Sequence, residues 1–147
     1  FPYSRELEKQ FYRIYSEISK MDYDITKFVI SFVGGLLWYR ILFFITPIYF
    51  KRPLTRSVLK LWWHHLHWGI ILIFIGTIMF LLSEKSTTVI VLFGIGLGFI
   101  MDLFIPSLQL ETDREKELVV YRNSLFPTLI LGALIVVVIV VLSFLNS

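Results

Sequence analysis

The three histidines of this chain, His64, His65 and His67, fall within four residues at the head of an apolar stretch, in the run Trp62-Trp63-His64-His65-Leu66-His67-Trp68-Gly69. Histidine is costly to bury in hydrocarbon and serves as a metal ligand or proton carrier, so three together near a membrane surface suggest chemistry beyond packing. A carboxylate, Asp102, sits inside a later apolar stretch, shortly before a charged run. If the two stretches form antiparallel helices, the histidines and Asp102 lie roughly 6–10 Å below the same interface and can meet. His64 and His67 are i, i+3 neighbours about 5–6 Å apart, near enough to share a metal ion. With Asp102 they make a set of two imidazoles and one carboxylate, suited to zinc or non-haem iron. A water on such a metal would be activated for hydrolysis. A copper or haem site would need completion by another chain, because all three histidines share one helix.

The same residues support a structural reading. His65 points about 100° away from His64, on the side that carries Gly69 and Gly76. Gly94, Gly98 and Asp102, spaced four apart, form a matching face in the next stretch, so the two helices can approach closely in the small-xxx-small manner. In that register Asp102 meets His65 first. A His65 to Asp102 hydrogen bond would then lock the two helices, with His64 and His67 snorkelling toward headgroups. Proton handling by the same groups is a third reading.

Pro106 leaves the carbonyl four residues earlier without its helical donor, and that residue is Asp102, which thus offers a carboxylate and a free carbonyl. Pro47 does the same for Phe43. Arg40 lies close to the middle of the first apolar stretch, where a charge costs at least ~2.5–3.5 kcal/mol. It should face the bundle interior or a partner subunit, with Asp102 as a candidate counter-ion seated several residues less deep. Trp38, Tyr39, Trp62, Trp63 and Trp68 read as interfacial aromatic anchors.

The elements that must position these groups are set by composition. The 147 residues are 56% hydrophobic and 17% aromatic, with mean hydropathy +0.75, too apolar for a water-soluble domain. A span needs about 20 apolar residues to cross a bilayer core roughly 30 Å thick. Four windows qualify, at about 28–50, 61–82, 87–108 and 124–145, and each crosses most simply as a helix that satisfies its own backbone. The fold class expected is all-α, an integral membrane bundle of about four transmembrane helices (residues 25–147) with an N-terminal amphipathic helix (residues 1–24). In that arm Leu7, Phe11, Ile14, Ile18 and Met21 recur at helical spacing with charges between them, suiting it to lie on the membrane, dock on a partner or pack on the chain's own loops. The last window has no polar residue between Leu129 and Leu142 and reads as a lipid-facing anchor, with Asn123 or Ser124 as cap and Pro127 in its first turn.

Charge sets the orientation. The connection from Lys51 to Lys60 carries four positive and no negative residues, and Gln109 to Asn123 adds Arg114, Lys116 and Arg122, placing both in the cytoplasm by the positive-inside rule. Both termini then lie outside a multi-pass protein of the cell membrane. The arm's Arg5, Lys9, Arg13, Lys20 and Lys27 run against that assignment, although five acidic residues accompany them. No window resembles a cleavable signal peptide, and a start at Phe1 rather than Met leaves room for an upstream leader. With no cysteine, thiolate metal sites, disulfides and Cys nucleophiles are excluded. G-x-S-x-G, H-E-x-x-H and P-loop patterns are absent, and nothing points to nucleic acid.

The pattern H-H-x-H-x-G in one segment and G-x-G-L-G-x-x-x-D in the next, His64 to Gly69 and Gly94 to Asp102, resembles small uncharacterised integral membrane proteins of archaea. The likeness covers the central two helices and implies a shared helix pair with a polar contact. A fainter similarity, to ceramidase-like membrane hydrolases that bind zinc through His and Asp, implies histidines on separated helices, whereas here they are clustered. Taken together, the residues suggest an accessory or structural subunit of a larger membrane complex, in contact with lipid and other subunits. The alternatives are a metal-binding membrane enzyme using His64, His67 and Asp102 with zinc, iron or copper, and proton or ion conduction.

Overall fold

The computed structural model describes residues 2–46, 57–58, 61–62, 64–82, 86–109 and 114–145. Helix α1 runs unbroken over Pro2–Ile45. Beyond Pro2 no proline or glycine interrupts it before Gly34, so the amphipathic arm and the first span, expected as separate pieces, form one rod. Its span is Tyr23–Ile45, and it ends just before Thr46-Pro47, where the residue ahead of proline is steered out of the α region. The expected continuation over 47–50 and the effect of Pro47 lie outside the described residues. So do most of the basic connection between Lys51 and Lys60, and Trp63.

Two-residue strands β1 (Ser57–Val58) and β2 (Leu61–Trp62) pair antiparallel, Ser57 opposite Trp62 and Val58 opposite Leu61. The second span therefore starts later than the expected Leu61. Extended backbone suits a run of bulky residues such as Leu61 and Trp62, and helix α2 covers His65–Leu82. Helix α3 covers Thr87–Ser107, its first turn capped by Ser86, whose hydroxyl accepts the Val89 N–H at 3.3 Å. Helix α4 (Arg114–Asn123) carries Glu115 and Glu117 in its first turn and Arg122 in its last, matching the helix dipole. Helix α5 (Leu125–Leu145) follows after Ser124 alone. Bonds from Ser124 N–H to Val120 O and from Thr128 N–H to Ser124 O carry the ladder across the join.

The chain is thus an all-α bundle, and among the described residues four helices are long and apolar enough to cross a membrane: Tyr23–Ile45, His65–Leu82, Thr87–Ser107 and Leu125–Leu145. Helix α3 is the centre, packed chiefly against α1 and α2 and less closely against α5. Helices α1 and α3 run parallel, with Lys27 bonded to Thr87 at one end and Arg40 to Asp102 at the other. Helix α2 runs antiparallel to α3, and α5 antiparallel to α1 with Gly132 beside Leu36.

Alternating glycines let α3 be gripped from both sides. Gly94 and Gly98 face α1: a Cβ on Gly98 would collide with Phe32 O and Leu36 N, and one on Gly94 would lie 2.8 Å from Phe28 O. Gly96, about 200° round the helix, faces α2 instead, in mutual contact with Gly69. A Cβ on Gly69 would lie 2.6 Å from Gly96 O. The expected register, with Gly94 and Gly98 against Gly69 and Gly76, is therefore corrected. Helix α2 meets Gly96, Gly76 makes only ordinary contact with Leu92 and Phe93, and Gly94 and Gly98 serve α1. Phe32 and Leu36 on α1 and Val89 on α3 are buried in this seam, while Ile30, Phe74, Leu134 and Val141 point outward. Outward apolar faces are what helices bathed in lipid present.

Candidate functional site

Five helices deliver polar groups to one layer near the end of the bundle. Arg40 comes from α1, Asp102 from α3, His65 from the first turn of α2, and Tyr121, Ser124 and Thr128 from the α4–α5 join. Arg40 is 3% exposed and Asp102 0% exposed, so each charge must be answered inside the protein. Arg40 Nε–H donates to Asp102 Oδ1. Its Nη2 donates to Asp102 O at 3.0 Å and to Ser124 Oγ and Thr128 Oγ1, each at 3.1 Å. Its Nη1 donates to Tyr121 O. The Asp102 carbonyl is open to this because Pro106 has no N–H to give it. One residue therefore answers the guanidinium twice, by carboxylate and by carbonyl.

Tyr121 closes the layer. Its hydroxyl donates to Asp102 Oδ2 at 2.6 Å, and the Arg40 guanidinium carbon lies 4.0 Å from its ring centroid. Burial first, and then the Asp102 charge and its hydrogen bond, hold the Tyr121 phenol far above the ordinary tyrosine range, so it stays protonated and donates. Ser124 Oγ–H donates back to Tyr121 O at 2.8 Å while accepting from Arg40. Phe43 packs edge-on against the Tyr121 ring at 5.1 Å between centroids.

His65 reaches the same carboxylate. Its Nε2 lies 2.7 Å from Asp102 Oδ2 and its ring stacks on Tyr39 at 4.1 Å. The nitrogen is buried and close, but its N–H direction is not aligned on the oxygen, so this is an electrostatic contact rather than a formed hydrogen bond.

The metal triad expected from His64, His67 and Asp102 is not assembled. Among the described residues no three His, Asp or Glu side chains gather round one point. The physical reason is phase. With α2 starting at His65, that residue takes the α3 side and His67 lies about 200° round the helix. His67 Nδ1 accepts the His64 backbone N–H at 3.1 Å, and the two rings lie 6.1 Å apart. Asp102 is meanwhile engaged by Arg40, Tyr121 and His65. Arg40 is level with Asp102 rather than deeper, because the first span is Tyr23–Ile45 instead of 28–50 and so ends sooner after Arg40, and its charge is met within the chain. Trp38 and Trp68 are about half exposed on the outer surface.

Sequence reasoning missed Tyr121, Ser124 and Thr128, reading Ser124 as a helix cap only. A signal was present: the three are spaced three and four apart, one face of a continuous helix entering the last span. Comparison with protein families, with curated proteins and with solved structures returns no match. The geometry therefore carries the functional argument alone. What this layer does chemically is hold a buried ion pair, with one buried imidazole nitrogen 2.7 Å from its carboxylate.

Proposed function

We propose that this small multi-pass membrane protein is an accessory or structural subunit of a larger membrane assembly. The observation that supports this is the length of α1. It has 44 residues, of which the 23 of Tyr23–Ile45 suffice to cross, and the rest projects as helix beyond the bundle. In that projection every described side chain, Lys9, Gln10, Phe11, Ser16 and Ser19, is exposed. A helix that continues beyond a locked bundle is suited to docking. The clamp supports the reading from the other side: Arg40 and Asp102 answer each other, as parts of a scaffold do. The layer they occupy is assigned to the cytoplasmic side, by the basic connection from Lys51 to Lys60, which puts the projection outside.

Native mass spectrometry of the gently solubilised protein from its source membrane tests this. Co-migrating polypeptides at fixed stoichiometry are expected, and their loss when residues 2–22 are deleted. A solitary chain would overturn the subunit reading. Single cysteines at Ser4 and Thr55, in a chain with none of its own, test orientation through labelling by an impermeant thiol reagent: Ser4→Cys should label from outside and Thr55→Cys should not.

A second reading, proton handling, is favoured by one observation, the buried His65 Nε2 lying 2.7 Å from Asp102 Oδ2 out of hydrogen-bond alignment. Proton flux in liposomes that disappears in His65→Gln would support it; flux equal to empty vesicles would remove it.

A further inference from the structure

The apolar positions of α1 follow one repeat from end to end. Leu7, Phe11, Ile14, Ile18, Met21, Ile25, Phe28, Phe32, Gly35 and Tyr39 are spaced alternately four and three apart, the a and d positions of a heptad. Within the span this stripe is the packed face: Phe32 is fully buried, Gly35 would place a Cβ 2.6 Å from Ile95 O, and Tyr39 stacks on His65. The face has a partner there, α3. That partner stops at Thr87, whose Oγ1 accepts a 2.7 Å bond from the Lys27 ammonium where it leans back over the Tyr23 ring. Counting from Gly132 beside Leu36, the end of α5 at Leu145 comes level with Tyr23. Phe11 lies about 18 Å further along the rod, and it is 76% exposed. The stripe thus outruns the helices that cover it.

The flanks of the stripe carry a sign. In the projecting heptads the e and g positions are Glu8, Gln10, Tyr15, Glu17, Asp22 and Asp24, acidic wherever they are charged. The basic residues Arg5, Lys9, Arg13, Lys20 and Lys27 all fall on b, c and f positions, away from the seam. In two parallel copies of this helix the g and e positions Glu17 and Asp22 would face each other across both flanks, acid against acid with no basic partner, which disfavours self-pairing. An anionic bilayer surface is disfavoured too, since burying the apolar stripe there would bring the acidic flanks, Glu8, Glu17, Asp22 and Asp24, down to the level of the anionic headgroups.

Resting on the subunit reading, we propose that residues Leu7 to Ile25 form one strand of a heteromeric coiled coil, whose other strand is a partner helix with an apolar heptad seam flanked by Lys and Arg. A straight helix drifts ~20° per heptad, so over the three heptads from Phe28 back to Leu7 the stripe turns by about 60°, which a left-handed supercoiled partner follows. The α3 contact inside the membrane and the partner contact outside are then one continuous seam.

The test is photo-crosslinking in the source membrane with the full chain, carrying benzoylphenylalanine in place of Phe11, and in place of Ser19 on the back of the helix as control. The expected result is an adduct from position 11, at least about tenfold stronger than from position 19, to a polypeptide segment with an apolar heptad stripe and basic e and g positions. Reversing the flank charges with E8K, E17K and D22K should lower that yield about tenfold at low salt and less at high salt, as screening predicts. An adduct to a second copy of this chain, or to lipid, overturns the proposal, as does a partner segment lacking basic flanks. Native mass spectrometry of the same membranes separates the two claims. An intact complex with no adduct from position 11 sinks the coiled coil and leaves the subunit reading standing, whereas a solitary chain sinks both.

Discussion

At the Arg40 end of α1, four helices meet through charge. A guanidinium and a carboxylate, both out of water, are answered by Tyr121, Ser124, Thr128 and two backbone carbonyls. At the Lys27 end the same two helices meet through shape, with backbone against backbone at Gly94 and an exposed Lys27 to Thr87 bond at the rim. The difference is one of solvent. A pair sealed from water cannot be swapped for hydration, so losing one member strands the other. A pair at the rim trades protein contact for water at little cost. The polar end therefore specifies which helices meet and in what register, and the glycine seam sets how closely they lie.

The largest expected effect comes from breaking the buried pair on one side only. Arg40→Met should destabilise the fold by about 3–5 kcal/mol, because Asp102 is left buried with no cation. The double variant Arg40→Met with Asp102→Leu should cost much less than the two single changes together. Reversible unfolding in mixed micelles measures both, and additive losses would deny that the pair acts as a unit. Next comes the seam: Gly98→Ala should cost about 1–3 kcal/mol by driving a methyl into Phe32 O and Leu36 N. Gly34, with nothing within 4 Å of a built Cβ, is the control. Gly34→Ala should instead be neutral, or stabilise by up to about 1 kcal/mol through helix propensity.

Tyr121→Phe should cost about 1–3 kcal/mol, the loss of a donor to a buried carboxylate. It also has a pH signature. The phenol is held above its ordinary value in the fold, by burial first and Asp102 second, while in the unfolded chain it ionises near pH 10. The unfolded state thus sheds a proton that the fold retains. Its contribution is present in full below about pH 10 and is lost as pH rises above that. Wild type should lose stability more steeply than Tyr121→Phe above pH 10, and equal slopes would count against a protonated Tyr121 donor. Smallest of all, Lys27→Ala should change stability by less than about 1 kcal/mol, since its bond is exposed. A loss at Lys27 as large as at Arg40 would erase the contrast between the two ends.

Much of the site was legible in residue types. Arg40 in hydrocarbon had to find a counter-charge, Asp102 was the acid on offer in the spans, and Pro106 announced the open carbonyl that Arg40 uses. That His65 turns to Asp102 was legible as one of two readings, from the face it shares with Gly69; what the sequence did not settle was that reading against a metal at His64 and His67, because it does not fix the relative phase of two helices. The small faces were misassigned for a related reason: Gly94, Gly96 and Gly98 offer α3 two opposite small faces, and periodicity does not say which neighbour takes which. Tyr121 escaped notice because it belongs to a short amphipathic helix that looks like a connection. It becomes a site residue only when α4 runs into α5 and folds back over Arg40.

The amino-acid sequence by itself determined four apolar spans, a helical arm ahead of them, and a buried arginine and aspartate in need of partners. These follow from segment length, hydropathy and the cost of unpaired charge, which are local properties of the chain. Only the tertiary structure decided that α1 and α3 lie side by side with Arg40 level with Asp102, that Asp102 meets His65 and is not shared with His64 and His67, and that Tyr121, Ser124 and Thr128 complete the clamp. Those are matters of relative phase and depth between helices distant in sequence. They are fixed when backbone packing at the glycines and the desolvation of one ion pair are satisfied together.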